Sequence, residues 1–286
     1  MRVISSPRKM NKILLEEKMA GKSIGLVPTL GYLHKGHIAL IKRARKINDI
    51  VAVSIFLNPK QFSAKAFRKY PKAPKQDLNI CKAEGVDYVF MPNAGSMYPE
   101  SFDSSVEVPQ LIGKLNGNSI RWHYRAVLTV VAKLFNIIQP NRAYFGKKDP
   151  HQLALIKRMV LDLNFPIKII SVPTKRAKDG LALSSRNSLL TPEEREAALV
   201  IPKVIKAAEI KVKGGSTDRK AITKTMTKMI DGVSSVKLDF VAVVDADSLD
   251  ADRFGDDTLI YVSVFVGGKK LTDNRVVNSS RQSRNK

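Results

Sequence analysis

At 286 residues, 44% apolar and 26% charged, the chain has room for a sizeable core and the composition of a globular protein. It contains no apolar run of about 18 residues, and Met1 to Pro7 lack the apolar centre of a secretion signal, so a cytoplasmic protein without a membrane span is expected. The single cysteine, Cys81, excludes an intramolecular disulfide, and the net charge of +23 favours anionic partners, whereas the scattered cations and 7% aromatics argue against a nucleic-acid stacking surface.

In chain order, Lys9 to Met19 reads as an amphipathic helix, with Met10, Ile13, Leu14 and Met19 apolar among charges. A strand from Ser23 to Val27 then enters Pro28-Thr29-Leu30-Gly31-Tyr32-Leu33-His34-Lys35-Gly36-His37, and a periodic helix follows from Ile38 to Ile47. A strand, a Pro/Gly turn and a helix in that order form a phosphate-sized junction, where free N–H groups and the helix dipole favour an anion. Gly36 removes a side chain where a ligand would approach the backbone.

Ile50 to Leu57 is a near-continuous apolar run, typical of a strand covered on both faces. Asn58 to Phe62 then places polar side chains at its carboxyl end, the edge where open α/β sheets bind ligands. A loop (71–74), a helix (76–84) that buries Cys81 and a strand (88–91) come next, and then a loop-rich stretch from Asn93 to Tyr124. A helix over 126–138 leads to a strand at Ala143-Tyr144-Phe145, which ends in Gly146-Lys147-Lys148-Asp149. Pro150 opens a helix to Leu163, and Ile167 to Ile170 is a strand. These repeated βα units predict an α/β protein with a Rossmann-like, doubly wound parallel sheet over residues 1–174.

The pattern changes from residue 175. A polar stretch, Arg176 to Asn187, precedes a helix start at Thr191, where Glu194 completes a capping box. Helices over 192–212 and 218–230 and strands over 238–244 and 259–266 predict a smaller α+β domain, residues 175–286. A basic tail from Val276 to Lys286, expected to be disordered, closes the chain.

Four stretches in this order, PTLGYLHKGH, FLNPKQF, YFGKKDPHQ and RAKDGLALSSRN, resemble the pantothenate synthetase (pantoate–β-alanine ligase) family, within the HIGH-motif nucleotidyltransferases. The resemblance implies ATP-dependent activation of pantoate to pantoyl adenylate, then attack by β-alanine to give pantothenate, AMP and pyrophosphate. It places ATP along Pro28, Leu30, Gly31, Tyr32, Leu33, His34, Lys35, Gly36 and His37, with His37 as proton donor and His34 beside it. Gly146, Lys147, Lys148 and Asp149 line the nucleotide, with Lys148 reaching its phosphates. Lys175 and Leu183 contact it through backbone groups, and Ser184, Ser185 and Arg186 form a mobile lid over the triphosphate. Gln61 and Gln152 match the two pantoate glutamines, Gln61 also lying near β-alanine. Mg2+ is expected to arrive with ATP, held by phosphates and water. A homodimer through the first domain is implied as well.

The chain departs from the family pattern at several places. Leu30 and Leu183 stand for methionines, Lys35 and Lys147 for acids, Ala126 for a glycine, and Pro150-His151 for a residue-plus-glutamine pair. The lysines make the phosphate site more positive. Two alternatives remain at this stage: a nucleotidyltransferase with another acceptor, and a basic nucleic-acid-binding module.

Overall fold

In the computed structural model, described over residues 1–115, 120–184, 187, 189–252 and 256–278, the chain forms two compact units. The first comprises Met1–Ile112, Ser119–Lys147 and Leu155–Pro173; the second comprises Gly113–Asn118, Lys148–Ala154 and Thr174–Lys286.

In chain order the first stretch runs β1 (Arg2–Ile4), α1 (Pro7–Met19), β2 (Ile24–Thr29), α2 (Lys35–Arg45) and β3 (Ile50–Ile55). A 3-10 turn (Pro59–Gln61), α3 (Ala64–Lys69), α4 (Pro74–Ala83), β4 (Tyr88–Phe90), α5 (Ala94–Met97) and α6 (Pro109–Ile112) follow. Then come α7 (Arg121–Ile138), β5 (Arg142–Gly146), α8 (Pro150–Asp162) and β6 (Lys168–Val172). The six strands pair in parallel in the order β1-β4-β3-β2-β5-β6. After β2 the chain steps outward to β3 and β4 on one side, and later to β5 and β6 on the other. The reversal falls between β2 and β5, which pair at Gly25↔Arg142 and Leu26↔Ala143. The crevice outside the carboxyl ends at such a switch point is where doubly wound sheets bind ligands.

Local chemistry explains the elements. Ser6 accepts from the Lys9 N–H and Pro7 opens α1, so the helix starts two residues before the expected Lys9. β2 and β3 are buried almost throughout, as the unbroken apolar runs require. Leu40, Ile41 and Ala44 of α2 pack with Val27, Val51, Val53 and Val89 of the sheet. Cys81 is buried in that cluster, and burial pushes its thiol up to about 11, an inert packing group.

The second unit contains α9 (Pro192–Ala198), α10 (Val200–Lys213), α11 (Arg219–Asp231), β7 (Val236–Asp245), β8 (Asp257–Val266) and β9 (Lys269–Asn278). The strands form an antiparallel meander against which the apolar faces of α10 and α11 pack.

Four expectations are corrected here. A strand at the amino terminus, β1, joins the sheet edge through β4; its three residues are too few to show a period. Helix α7 begins at Arg121, so Arg121 to Tyr124 are helical rather than loop. The stretch 192–212 is two helices, because Pro202 lacks the N–H that would continue the ladder from Ala198, and the chain resets at Leu199. Val276 to Asn278 lie in β9 instead of a tail; the hairpin turns at Gly267 and Gly268, both at positive φ. The rest of the expected tail, residues 279–286, lies outside the described residues.

Candidate functional site

The turn from β2 into α2 is folded by side chains satisfying its own backbone. Thr29 donates through Oγ1 to the Ser54 carbonyl (2.7 Å) and accepts from the Gly31 N–H (3.2 Å). Gly31 (φ +88) and Tyr32 (φ +53) are both left-handed, a shape glycine adopts freely and tyrosine does not. Asp77 on α4 accepts from the N–H groups of Tyr32 (2.9 Å) and Leu33 (2.7 Å).

His34 is the N-cap of α2. Its Nδ1 accepts from the Gly36 N–H at 3.0 Å, while the His37 Nδ1 accepts from the His34 N–H at 3.3 Å, a reciprocal cap made by two imidazoles. The ring centroids are 4.1 Å apart. Gly36 has a definite reason here: a Cβ would lie 2.8 Å from His34 Cε1, so only glycine lets that ring fold back. The N–H groups of residues 32, 33, 34 and 36, expected to be free for an anion, are therefore occupied by Asp77 and the two imidazoles. Burial, and then the neighbouring His34, lower the His37 pKa to about 3. With Nδ1 accepting, neutral His37 carries its proton on Nε2 and donates from there. Pro28, Leu30 and Gly36 are partly covered, Gly31 and Leu33 buried, and Tyr32, His34 and Lys35 exposed.

Two further stretches lie at the same edge of the sheet. Phe56 N–H donates to the Thr29 carbonyl, so the end of β3 stays beside the end of β2 as the chain enters Asn58 to Gln61. Gln61 is buried, and Asn58 Nδ2 donates both to Gln61 Oε1 (3.0 Å) and to the Ala126 carbonyl (3.3 Å). Ala126 thus offers its carbonyl to Asn58 at a position where the family pattern has a glycine. Tyr98 donates to Asn58 Oδ1 (2.9 Å), and burial holds its phenol up at about 12. His123 Nδ1 donates to the Gln61 carbonyl at 2.9 Å. Gly146 and Lys147 close β5, beside β2, with the Lys147 N–H on the Val172 carbonyl (2.9 Å).

The remaining sequence-predicted residues belong to the second unit. Lys148, Asp149 and Gln152 stand around the start of α8, where Pro150 and His151 are buried. Asn274 Nδ2 donates to the Lys148 carbonyl at 2.9 Å. Arg176 forks onto the buried Asp273 (2.5 and 3.0 Å) and also donates to the carbonyls of Gly180 and Asn274. The Leu183 N–H bonds the Lys175 carbonyl (2.9 Å), so those two backbone groups, expected to contact a nucleotide, are committed within the loop. Ser184 is partly covered; Ser185 and Arg186 lie outside the described residues.

Asp77, Asn58, Arg176, Asp273 and Asn274 were missed as site residues. Asp77 carried a readable signal: it is the sole acid between Asp49 and Glu84. Asp273 and Asn274 carried none, because the strand that holds them was not recognised.

The order β1-β4-β3-β2-β5-β6 defines a Rossmann-like α/β protein, a class that binds ligands outside the carboxyl ends of the strands at such a switch point. The pantoate–β-alanine ligase family matches residues 2–276. Pantothenate synthetases from a Sulfurihydrogenibium species and from Rhizobium etli are each 44% identical, covering 96% and 98% of this chain and 99% and 95% of theirs. A pantothenate synthetase structure from Thermus thermophilus superposes with a TM-score of 0.85 at 36% identity, covering 96% of this chain and 99% of its own. A pantoate–β-alanine ligase structure from Francisella tularensis, complexed with β-γ ATP and β-alanine, gives 0.75 at 32%, covering 96% and 97%. The chain belongs to the pantoate–β-alanine ligase family. Among the described residues no helix is long and apolar enough to cross a membrane.

Proposed function

We propose that the chain condenses pantoate with β-alanine at the expense of ATP, forming pantothenate in two steps. A carboxylate oxygen of pantoate bonds to the α-phosphorus of ATP as the bond to pyrophosphate breaks. The amine of β-alanine then bonds to the acyl carbon of pantoyl adenylate, AMP leaves, and the amine proton passes to solvent. The observation that carries this reading is the family match along residues 2–276.

Both steps move negative charge onto phosphate oxygens, so they call for donors fixed in advance. His34 and His37 supply them at the start of α2, the positive end of its dipole. His37, neutral without ligand, gains a proton more readily beside a triphosphate, because an adjacent anion favours imidazolium. We assign ATP to Pro28, residues 30–37, 146–149, Lys175 and 183–186, with Lys148 on its phosphates. Gln61 and Gln152 take pantoate, Gln61 also facing β-alanine. Because Asn58 donates to Gln61 Oε1, the Gln61 Nε2 group is left as a donor for a carboxylate or hydroxyl.

Mg2+ would enter bound to ATP. Phosphate oxygens and water would supply its ligands, as Mg2+ dehydrates reluctantly and binds largely through substrate phosphates. The proposed assembly is a homodimer through the first domain, tested by light scattering.

The test of function is release of pyrophosphate with ATP plus pantoate, followed by β-alanine-dependent release of AMP and pantothenate. His37→Ala and Lys148→Ala should each lower the rate by about 10²-fold or more, the range for a positioned proton donor or charge stabiliser. Turnover without AMP, or wild-type rates in both variants, would refute it.

A further inference from the structure

The β2–α2 turn carries an anion site of its own, already filled. In this turn, where Gly31 (φ +88) and Tyr32 (φ +53) are left-handed, the successive N–H groups of Tyr32 and Leu33 converge on one acceptor, and successive N–H groups of a turn form a concavity that ordinarily receives an anion. The anion here is internal: the Asp77 carboxylate, 2% exposed, accepts at 2.9 and 2.7 Å from the N–H groups of Tyr32 and Leu33. Gly31 leaves it just enough room, since a Cβ there would lie 3.2 Å from Asp77 Oδ2. After burial, the Asp77 charge is the next cause raising the Cys81 thiol and the Tyr70 phenol, as a carboxylate buried beside them would. Two charge-assisted hydrogen bonds offset the unfavourable backbone of Tyr32 and hold the residue that precedes Leu33 and His34.

We propose that Asp77 is a positioning residue for the nucleotide half of the reaction. Its carboxylate plugs the turn's own anion nest, sets where His34 and His37 begin α2, and so directs the triphosphate to the helix terminus and the imidazoles instead of the turn. This rests on the function proposed above, but its structural core can be tested separately.

Asp77→Asn keeps the size and turns an amide NH2 toward one of the two N–H groups; Asp77→Ala removes both acceptors. With ATP varied, kcat/KM for ATP should fall about tenfold in the first and about 100-fold in the second, as expected for misplaced phosphate donors. The KM for pantoate at saturating ATP should stay within about twofold of wild type. Formate, small enough to reseat in the nest, should restore part of the ATP kcat/KM of Asp77→Ala and leave wild type unchanged. An equal loss for ATP and pantoate with no formate response, or wild-type ATP kinetics in Asp77→Asn, overturns the proposal. If Asp77→Ala does not fold, the near-isosteric Asp77→Asn decides. If wild type makes no pantoate-dependent AMP, the proposed function fails, and amide hydrogen exchange decides the Asp77 role: faster exchange at Tyr32 and Leu33 in Asp77→Asn supports it, unchanged exchange overturns it.

Discussion

The imidazoles of His34 and His37 are structural caps before they are ligands for anything. Each accepts a backbone N–H through Nδ1, so each loses a cap if that nitrogen is protonated. This fits a His37 pKa lowered to about 3 by burial and then by His34. The linkage has a definite sign. Below about pH 6.5 the unfolded chain binds a proton at His37 that the folded chain refuses until about pH 3, so stability falls with pH across that window and is unaffected above it. The His37 ring resonances in the ligand-free protein should therefore stay flat from about pH 8 to about pH 5, and His37→Gln should flatten the acid limb of the stability curve. A ring titrating near pH 6.5 would contradict the buried cap. The histidine pair was legible because both members sit in one decapeptide. Asp77 stood out only as the sole acid between Asp49 and Glu84, and its partner did not, because it reaches the turn from 45 residues away.

Elements end where side chains from elsewhere satisfy them. Helix α7 stops at Gln139, whose φ of +47 is left-handed, and α1 covers that end: Asn11 donates to the carbonyls of Asn136 and Ile137, and Lys18 to that of Gln139. The Gln139 side chain is exposed, so Gln139→Gly relieves the backbone and leaves those bonds intact. It should stabilise the protein by about 0.5–1 kcal/mol in urea unfolding; a loss of stability would mean the side chain holds the turn. Helices with clear periodicity and a proline in the first turn, such as α1 and α4, were readable to within a few residues. Strand β9 was not, because the face of Leu271 and Val277 also buries the polar Asp273, while Asn274 is buried on the opposite face, so the apolar alternation is lost.

At the scale of the whole molecule, charge acts in two ways. In the second unit Asp273 is the buried acceptor for Arg176, whose side chain keeps 23% exposure. Asp273→Ala should cost about 3 kcal/mol, the lower end for breaking a buried pair because Arg176 retains some water, read as a drop in Tm. Across the chain, the +23 net charge raises the local concentration of an anionic substrate, and salt screens it. KM for ATP should rise with ionic strength, and Lys35→Glu with Lys147→Glu should raise it at low salt and flatten the salt dependence; an unchanged slope would exclude these lysines from the nucleotide's field. What the sequence determined by itself was the succession of βα units, the histidine-bearing turn, the Lys148 and Gln61 loops and the family resemblance, all written in local periodicity or contiguous motifs. Only the tertiary structure decided that the turn's N–H groups are already occupied, that Asn58 orients Gln61, and that a polar strand anchors Arg176 and the Lys148 carbonyl. Those are hydrogen bonds between residues distant in sequence, and a buried polar partner has no period by which the chain alone could announce it.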